Sequence, residues 1–420
     1  MTTHFDTIII GGGPSGLMAS IASASNGNST CLIEKNKQLG KKLLISGGGR
    51  CNVTNNVPYE EIIKHIPGNG KFLYSPFSIF DNQSIIEFIE SNGVPLKEED
   101  HGRMFPVTDK SKDILNVFLN KLSELNVSVQ TETTVNSIEY DSETKLYNII
   151  TKQQSYQCTH LVISTGGKSV PKTGSTGDGY KFAAQFSHTI TELFPTEVPI
   201  LSDEPFILSN ELKGLSLKGI ALSVLDKKGK PVITHEMDML FTHFGISGPA
   251  ALRCSQFVYK QQKKQKTKQI KMAIDLFPNK NETELMKEVS NLIAENKNKL
   301  IINSLKSILQ ERFIQVLIDR LNIDIETTGH HLKNEDKILL VKTLKHFSFS
   351  VNGTKSIEDA FVTGGGIKLK EINPKTLESK LQNNLYFSGE LLDIHGYTGG
   401  YNITSALVTG YVAGYSTTLK

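Results

Sequence analysis

The pattern of apolar and polar positions is most distinctive at the start of the chain. An apolar run at residues 7–10 is followed without a break by the glycine-rich residues 11–16, and small residues then lead to a second apolar run at residues 31–34. Short apolar runs bounded by turn residues are typical of buried strands, and the small residues between them suit a closely packed helix. The pattern predicts a βαβ unit.

The turn of this unit has the glycine spacing of a dinucleotide-binding site. Gly11 permits the tight turn, Gly13 lets the backbone approach a pyrophosphate, and Gly16 lets the helix pack against the strand. The free N–H groups and the dipole at the helix N-terminus favour phosphates. Glu34 ends the second strand and can accept hydrogen bonds from an adenosine ribose. The unit predicts a bound dinucleotide and leaves NAD and FAD as alternatives.

The pattern up to residue 194 continues an α/β domain. Apolar spacing of three and four predicts a helix over residues 111–125 with Ser111 as its N-cap, and a further helix starts near Asp178. Residues 127–130 are expected to return to the parallel sheet beside the second strand, and the two strands after them to form a β-meander. Residues 161–167 form an apolar strand ending in glycines, which returns the chain to the nucleotide.

The middle of the chain changes character twice. Short alternating runs between residues 195 and 277 predict antiparallel strands of a sandwich or barrel, and residues 281–346 have the spacing of helices. A late strand at residues 385–388 and a small-residue helix from near Gly399 then close the sheet that the first strand opened. The predicted domains are a nucleotide-binding domain in two parts (1–194 and 359–420), an inserted β-rich domain (195–278 and 347–358) and an inserted helical domain (279–346).

Composition narrows the class of protein. The chain has 420 residues, 38% of them hydrophobic, which is enough for two or three domains with a sizeable core. It contains no run of about eighteen apolar residues, so we expect no membrane-spanning segment, and its start lacks the basic region of a signal peptide. The four cysteines show neither a disulfide framework nor metal-ligand spacing. We expect a cytoplasmic protein without a bound metal.

The distribution of charge is more informative than the net charge of +3. Residues 195–350 hold 23 Lys and Arg against 18 Asp and Glu, so the basic excess lies in the middle of the chain. The segment Lys260–Lys271 contains six lysines and no acid. Such a run is commonly a solvated hairpin tip, but it can also follow the phosphates of an RNA. It has no interleaved aromatic residues on which bases could stack.

A second glycine-rich segment, residues 46–52, is too rich in glycine for a helix or strand. Arg50 and Asn52 follow the glycines at once, which suits a loop that wraps a ligand and offers it hydrogen-bond donors. We favour this interpretation over a flexible surface loop. No second βαβ glycine fingerprint follows, although flavoenzymes with a dedicated nicotinamide domain usually repeat that fold.

Several motifs together carry a resemblance to a known family. They are SGGGRCNVTN at residues 46–55, TGG at 165–167 with GSTGDGY at 174–180, FTHFGISGPAAL at 241–252, and GYTGGYN at 396–402. On these motifs the chain resembles the BaiN/RdsA-type NAD(P)/FAD-dependent oxidoreductases, also called aminoacetone-oxidase-like. The resemblance covers almost the whole chain. It implies an α/β fold, with a glutathione-reductase-like FAD-binding Rossmann domain, an inserted β-rich, barrel-like domain and a small helical domain.

The resemblance also implies which residues hold FAD. Val129 would lie beside the adenine, Glu390 would face the ribityl region, and the helix that starts near Asn402 would point its N–H groups at the flavin, where they would stabilise the negative charge of the reduced ring. The full implied set is Gly11, Gly13, Ser15, Gly16, Glu34, Lys35, Arg50, Cys51, Asn52, Val129, Thr165, Gly166, Gly389, Glu390, Gly400, Tyr401, Asn402 and Ile403. With no second nucleotide fold, NAD(P)H would bind transiently over the flavin.

Relatives in this family are associated with reduction of conjugated C=C bonds, including bile-acid enones and a uridine of large-subunit rRNA, and with oxidation of small amines. Reducing uridine needs a hydride at one ring carbon and a proton at its neighbour. Three residues are candidate acids: Cys51 in the presumed flavin loop, His243 between two phenylalanines, and His395 in the turn at residues 393–397. Their structural alternatives are a small buried filler for Cys51 and packed core residues for the histidines.

The sequence therefore predicts an NAD(P)H-driven, FAD-dependent reductase of a conjugated double bond, with uridine in 23S rRNA as the preferred substrate. One alternative is a flavin-dependent oxidase of a small amine such as aminoacetone. Another is a flavin-bearing RNA-binding protein without turnover. The basic run at Lys260–Lys271 favours the first and the last of these three.

Overall fold

The computed structural model describes residues 3–419, which form nineteen strands and fourteen α-helices. The strands are β1 (Thr3–Ile10), β2 (Thr30–Ile33), β3 (Thr54–Asn55), β4 (Leu96–Glu99), β5 (Arg103–Pro106), β6 (Ser128–Gln130), β7 (Val135–Asp141), β8 (Leu146–Thr151), β9 (Ser155–Ile163), β10 (Phe194–Thr196), β11 (Ile200–Leu201), β12 (Ser216–Leu225), β13 (Pro231–Phe241), β14 (Gly245–Ser247), β15 (Ile270–Asp275), β16 (Phe347–Val351), β17 (Gly353–Thr354), β18 (Val362–Gly364) and β19 (Leu385–Phe387). The helices are α1 (Pro14–Ser25), α2 (Lys41–Ile45), α3 (Tyr59–Lys64), α4 (Tyr74–Phe77), α5 (Asn82–Ser91), α6 (Ser111–Glu124), α7 (Asp178–Gln185), α8 (Pro205–Leu208), α9 (Pro249–Gln265), α10 (Glu282–Glu295), α11 (Ile301–Leu305), α12 (Glu311–Arg320), α13 (Asn334–Lys345) and α14 (Tyr401–Ser416).

These elements form two units. Unit 1 comprises Met1–Phe194 and Ile357–Lys420, and unit 2 comprises Pro195–Ser356. Within the described residues, no helix is both long enough and apolar enough to cross a membrane.

Unit 1 is built on a seven-stranded sheet, in which six strands have the order β6-β2-β1-β9-β8-β7 and the seventh, β19, pairs with β9. β1 is parallel to both β2 and β9, and β6 is parallel to β2. The first half of β9 pairs with β8 in antiparallel register, and its second half pairs with β19 in parallel register. This topology confirms the return of residues 127–130 to the parallel sheet, the β-meander and the closure of the sheet by a late strand.

The central strands of this sheet are apolar along their length because both faces are covered. Ile8 and Ile9 of β1, Leu32 of β2, and Leu161 and Val162 of β9 are all fully buried. Continuous apolar runs of this kind are typical of parallel sheets with helices on both sides. The predicted α/β fold class, with a Rossmann-type sheet, is confirmed.

The N-cap prediction for α6 is wrong. The helix begins at Ser111, but its N-cap is Lys110, which makes no side-chain capping bond. The Ser111 hydroxyl instead donates to the carbonyl oxygen of Leu44, 2.7 Å away. Ser111 therefore links the start of α6 to the end of α2. From the sequence pattern alone, the same serine was expected to cap its own helix.

The first and last helices of the chain, α1 and α14, pack closely because glycines remove side chains between them. A Cβ built on Gly410 would lie 2.2 Å from the carbonyl oxygen of Ser15, and one on Gly414 would lie 2.1 Å from that of Ala19. At the far end of the pair, the hydroxyls of Ser23 and Thr417 lie 3.0 Å apart. Small residues therefore set the distance between two helices that stand at opposite ends of the sequence.

We expect Gly410→Ala to lower the free energy of unfolding by about 1–3 kcal/mol, because the new methyl group would meet backbone atoms of α1 that cannot move aside cheaply. Urea denaturation of the apoprotein measures this loss. The matched control is Gly13→Ala, which adds the same methyl where no atom lies within 4 Å of the built Cβ. Equal stability of the Gly410→Ala variant and the parent would contradict the close packing of the two helices.

Unit 2 contains a seven-stranded antiparallel sheet with the order β16-β15-β12-β13-β14-β11-β17. The predicted antiparallel strands are therefore present, but the sequence did not predict helix α9 between β14 and β15. Its first half carries the buried residues Ala250, Cys254 and Val258, and its second half is lysine-rich and polar. Lys260–Lys271 thus comprises the end of α9, the loop after it and the start of β15, and the hairpin-tip interpretation is wrong.

The sheet and the helices of unit 2 share one hydrophobic core. Buried residues of the sheet, such as Leu222 and Phe347, belong to the same cluster as Val289 of α10, Phe313 of α12 and Leu340 of α13. The β-rich and helical regions, which the sequence predicted as separate insertions, thus bury their apolar faces against each other.

Candidate functional site

The turn after β1 is tight on one side and open on the other. Gly11 has φ +109°, and a Cβ there would lie 2.6 Å from the carbonyl oxygen of Ser164 at the end of β9. A Cβ on Gly16 would lie 1.8 Å from the carbonyl oxygen of Gly11. By contrast, no atom lies within 4 Å of a Cβ built on Gly13. The turn therefore leaves free space at Gly13, the N-cap of α1, where N–H groups and the helix dipole favour an anion.

A chain of hydroxyl groups joins this turn to the late strand β19. Ser15 Oγ donates to Ser388 Oγ at 2.7 Å, and Ser388 Oγ lies 2.8 Å from Ser164 Oγ. Gly389 follows with φ +74°, and a Cβ there would lie 2.9 Å from the Cβ of Ser15. The N–H of Gly389 donates to Thr409 Oγ1 of α14 at 3.0 Å. Segments 373 residues apart thus meet at the carboxyl ends of β9 and β19.

Glu34 is fixed at the end of β2 by three hydrogen bonds. Its Oε2 accepts the N–H of Gly12 at 2.7 Å, and its Oε1 accepts the backbone N–H and the side-chain amide of Asn36 at 2.8 and 2.6 Å. These donors hold the carboxylate beside the glycine turn. A carboxylate has about four lone-pair sites, so acceptor capacity remains for hydroxyl groups of a ligand.

The glycine loop at residues 46–52 meets the N-terminus of α14. Gly47 and Gly48 have left-handed backbones, and so does the non-glycine residue Cys51, with φ +62°. A Cβ on Gly400, the N-cap of α14, would lie 2.8 Å from the carbonyl oxygen of Thr54 and 3.0 Å from Asn52 Oδ1. A left-handed non-glycine residue costs about 1–3 kcal/mol and such residues cluster at functional sites. The end of the loop therefore packs against the start of α14.

Asn402 holds the turn that carries His395. Its side-chain oxygen accepts the N–H of Gly396 at 2.8 Å, and its amide donates to the carbonyl oxygens of Gly396 and Tyr397 at 2.9 and 3.1 Å. His395 is buried, and its Nδ1 lies where a Cβ on Gly68 would come within 2.1 Å. Asn402, in the first turn of α14, therefore holds the turn in which the buried His395 stands.

Burial sets the acidity of the cysteines. It raises the pKa of all four thiols, and that of Cys31 and Cys51 to about 12. The Cys51 side chain is fully buried and hydrogen-bonds to Ser46, which lowers its pKa only in part. At neutral pH Cys51 therefore keeps its proton and is a weaker acid than a free thiol.

These shifts predict that stability falls in alkaline solution. In the unfolded chain the thiols ionise near pH 9, whereas Cys31 and Cys51 ionise near pH 12 in the folded chain. Each buried, neutral thiol therefore makes its full contribution to the free energy of unfolding below pH 9. This contribution is lost as the pH rises towards 12, at about 1.4 kcal/mol per pH unit for each thiol. Urea denaturation above pH 9 should show this slope, and Cys31→Ala should reduce it by one thiol's share. A slope unchanged in Cys31→Ala would contradict the assignment.

Two of the cationic residues implied at the cofactor pair with acids. Lys35 Nζ lies 2.6 Å from Asp178 Oδ2 at the start of α7. Burial raises the pKa of Asp178, but the hydrogen bond and charge of Lys35 outweigh it and hold that pKa below its usual value. Arg50 lies 2.8 Å from Glu99 and 4.1 Å above the ring of Phe105. Both side chains therefore help to fix the loops in which they stand.

The sequence did not reveal Lys42 as part of the site. Its Nζ lies 2.8 Å from Glu390 Oε2, and Glu390 Oε1 also accepts the Ser169 hydroxyl at 2.9 Å and the N–H of Thr363 at 2.7 Å. Burial raises the pKa of Glu390, but Lys42 and these hydrogen bonds bring it below its usual value. Glu390 is therefore an ionised, largely buried carboxylate that joins three other segments to its own. No local pattern indicates a partner 348 residues away.

The remaining implied residues lie as follows. Tyr401 stacks on His65 with ring centroids 4.8 Å apart, and Ile403 is half-buried in the first turn of α14. Gly166 follows β9 with φ +74°. His243 belongs to unit 2, where it is exposed against Phe244, so the packed-core alternative for it is wrong. His395 is buried, as a packed residue would be.

The residues of unit 1 fit a dinucleotide in three ways. The buried atoms Asn52 Oδ1 and Thr165 Oγ1 have no hydrogen-bond partner among residues 3–419, although buried polar atoms normally have one. The space at Gly13 is open. Val129 of β6 is 38% exposed at the edge of the sheet, where an adenine could cover it.

Among residues 3–419, no group of three or more His, Cys, Asp or Glu could hold a metal ion.

Comparison with known proteins gives a match over nearly the whole chain. Residues 5–416 match the family described as HI0933-like protein Rossmann domain. The chain is 31% identical to the ribosomal RNA dihydrouridine synthase of Escherichia coli, over 95% of this chain and 94% of that protein. It is 29% identical to the protein of the same name from Haemophilus influenzae, over 99% of both.

Two further comparisons extend this picture. The chain is 28% identical to the 3-dehydro-bile acid delta(4,6)-reductase of Clostridium scindens, over 97% of both proteins. Among solved structures, 3-ketosteroid-delta4-(5alpha)-dehydrogenase from Rhodococcus jostii aligns with a TM-score of 0.50 at 14% identity, over 100% of this chain and 97% of the other. The last similarity concerns the fold alone.

Proposed function

Because the chain belongs to the HI0933-like Rossmann family and is an FAD-dependent oxidoreductase, we propose that it reduces a conjugated carbon–carbon double bond, with uridine in 23S rRNA as its preferred substrate. The observation that carries the substrate class is the 31% identity, over nearly the full length of both chains, to a protein named ribosomal RNA dihydrouridine synthase. The similarity to a bile-acid reductase supports the same reaction class on a different substrate.

The residues of unit 1 support this chemistry by holding the cofactor. The open space at Gly13 and the N-terminus of α1 would bind the pyrophosphate, Glu34 the ribose, and Asn52 and Thr165 would complete their hydrogen bonds on the cofactor. When bound, FAD supplies the electron pair of the reduction. The N–H groups at the start of α14 would favour negative charge nearby, because a helix N-terminus carries a partial positive charge.

The substrate also needs a proton, and His395 is the donor we propose. An effective general acid has a pKa near the working pH. Cys51 has a thiol pKa of about 12, so it gives up a proton less readily than a free thiol. His395 is buried and is held by the turn that Asn402 fixes. His243 remains an alternative donor.

Mapping of dihydrouridine in 23S rRNA tests the proposed substrate. A strain that lacks the gene should lose one dihydrouridine, and the purified protein with NAD(P)H should restore it on rRNA from that strain. If the modification persists in the deletion strain, rRNA is not the substrate. Anaerobic reduction of the flavin by NAD(P)H would favour a reductase over the alternative amine oxidase, which needs no nicotinamide.

A further inference from the structure

One end of unit 2 carries lysines from two segments that are far apart in sequence. The first segment is the turn between β12 and β13, and the second runs from the last turn of α9 to the start of β15. Six exposed lysines, which we call the lysine surface, are Lys227, Lys228, Lys230, Lys264, Lys266 and Lys268. Only the second segment belongs to the basic run noted in the sequence, so the first adds charge that the sequence pattern did not connect with it.

Strand pairing and side-chain contacts bring the two segments together. β12 and β15 are antiparallel with Val224 opposite Met272, so the end of β12 lies beside the start of β15. The side-chain amide of Gln265, near the end of α9, donates to the carbonyl oxygen of Leu225 at 3.5 Å. Gln262 of the same helix donates to the carbonyl oxygen of Lys268. The lysines therefore form one surface and not two separate tips.

Most of the charge of this surface is not neutralised by the protein. The acid in these segments, Asp226, accepts the backbone N–H groups of Lys228 and Lys230 at 2.8 and 2.9 Å, and the charges of the same two lysines help to hold its pKa below the usual value. No ion pair within residues 3–419 involves any of the six lysines. Elsewhere in unit 2, by contrast, Lys218 pairs with Asp238 and Lys345 with Asp275, at 2.6 and 2.7 Å. The lysine surface thus differs from an ordinary solvated surface of mixed charge.

We propose that the lysine surface binds the phosphate backbone of the RNA substrate, an inference that rests on the proposed function. Each ammonium that neutralises a phosphate releases condensed counterions, which gives affinity that depends steeply on salt. The surface offers point charges without exposed aromatic rings, so it would position RNA and not read its sequence. A membrane is a poorer partner, because these two described segments expose no large apolar side chain.

Fluorescence anisotropy of the flavin-loaded, full-length protein with a labelled single-stranded oligouridylate tests this proposal. One variant carries Lys227→Gln, Lys228→Gln and Lys230→Gln, and a second carries Lys264→Gln, Lys266→Gln and Lys268→Gln. Each should weaken binding at low salt by roughly tenfold or more, and should reduce the slope of log affinity against log salt by about 2. The matched control, Lys287→Gln with Lys297→Gln and Lys299→Gln, removes the same charge from exposed positions elsewhere in unit 2 and should bind as the parent does.

Three outcomes would overturn the proposal: a parent protein that does not bind the oligomer, a first variant with the parent's affinity and salt slope, or a control that loses as much affinity as the variants. Binding to phosphatidylglycerol vesicles in preference to the oligomer would assign the surface to a membrane instead. The flavin spectrum and NAD(P)H oxidation should be unchanged in all variants. Dihydrouridine mapping is a separate readout, so RNA binding without modification would reject the proposed reaction and leave the surface standing.

Discussion

Gly13→Ala should leave the apoprotein folded and lower its affinity for FAD by roughly ten- to a hundredfold. Gly13 has an extended backbone, with φ −81° and ψ −179°, which alanine adopts without strain. The added methyl meets no protein atom within 4 Å, so it disturbs nothing in the apoprotein. It does occupy the space through which a pyrophosphate would approach the N–H groups of α1, and a lost hydrogen bond to a charged group costs about 1.5–3 kcal/mol. Titration of the apoprotein with FAD, followed by flavin fluorescence, measures the effect.

Gly16→Ala provides the contrast. Its methyl would lie 1.8 Å from the carbonyl oxygen of Gly11, so we expect a loss of stability in the absence of any ligand. Urea denaturation of both apoproteins separates the two roles of glycine in one turn. If Gly13→Ala binds FAD as tightly as the parent, the open space is not where the pyrophosphate lies.

His395→Gln should reduce the turnover number for dihydrouridine formation by about 10²- to 10⁴-fold, which is the usual contribution of a general acid. The flavin content and the rate of flavin reduction by NAD(P)H should stay close to those of the parent, because neither needs the proton that the uracil ring receives. The limb of the pH profile that reports the acid should disappear. Single-turnover reduction of rRNA, measured over a range of pH, tests each of these expectations.

Two further variants define the surroundings of His395. Asn402→Leu removes three hydrogen bonds from the turn that carries the histidine, so it should lower turnover by about tenfold or more while His395 keeps its proton-donating group. Cys51→Ala should retain turnover within a few-fold. Loss of activity in Cys51→Ala together with full activity in His395→Gln would reverse the assignment of the donor.

The sequence predicted those parts of the fold that local patterns specify. The unit of β1, α1 and β2 is specified by glycine spacing and by apolar runs, and the late strand β19 by an apolar run before a glycine. Helix α9 was not predicted, because the apolar spacing of its first half does not continue into its lysine-rich second half. The registers that bring Ser388 to Ser15 and Lys42 to Glu390 are set by tertiary packing, which no local pattern encodes.

The residues of the candidate site also fall into those that local patterns predicted and those that depend on tertiary packing. Backbone positions such as Gly16 and Gly400 could be predicted, because only glycine permits the close approach or the left-handed turn found there. The directions of long side chains could not be predicted from the sequence. The sequence did not indicate that Arg50 contacts Phe105 and Glu99, and the role of Asn402 in fixing the turn of His395 depends on contacts with backbone atoms six residues away.

The close packing of α1 against α14 has a consequence for folding during protein synthesis. Unit 2 is continuous in sequence, so all its strands and helices are synthesised before the last part of unit 1. Unit 1 is completed last, because the glycine turn near its N-terminus lacks Ser388 and the glycines of α14 until the last residues are synthesised. We therefore expect the chain to bind flavin only once α14 has been synthesised, and a chain truncated before α14 to be purified without flavin.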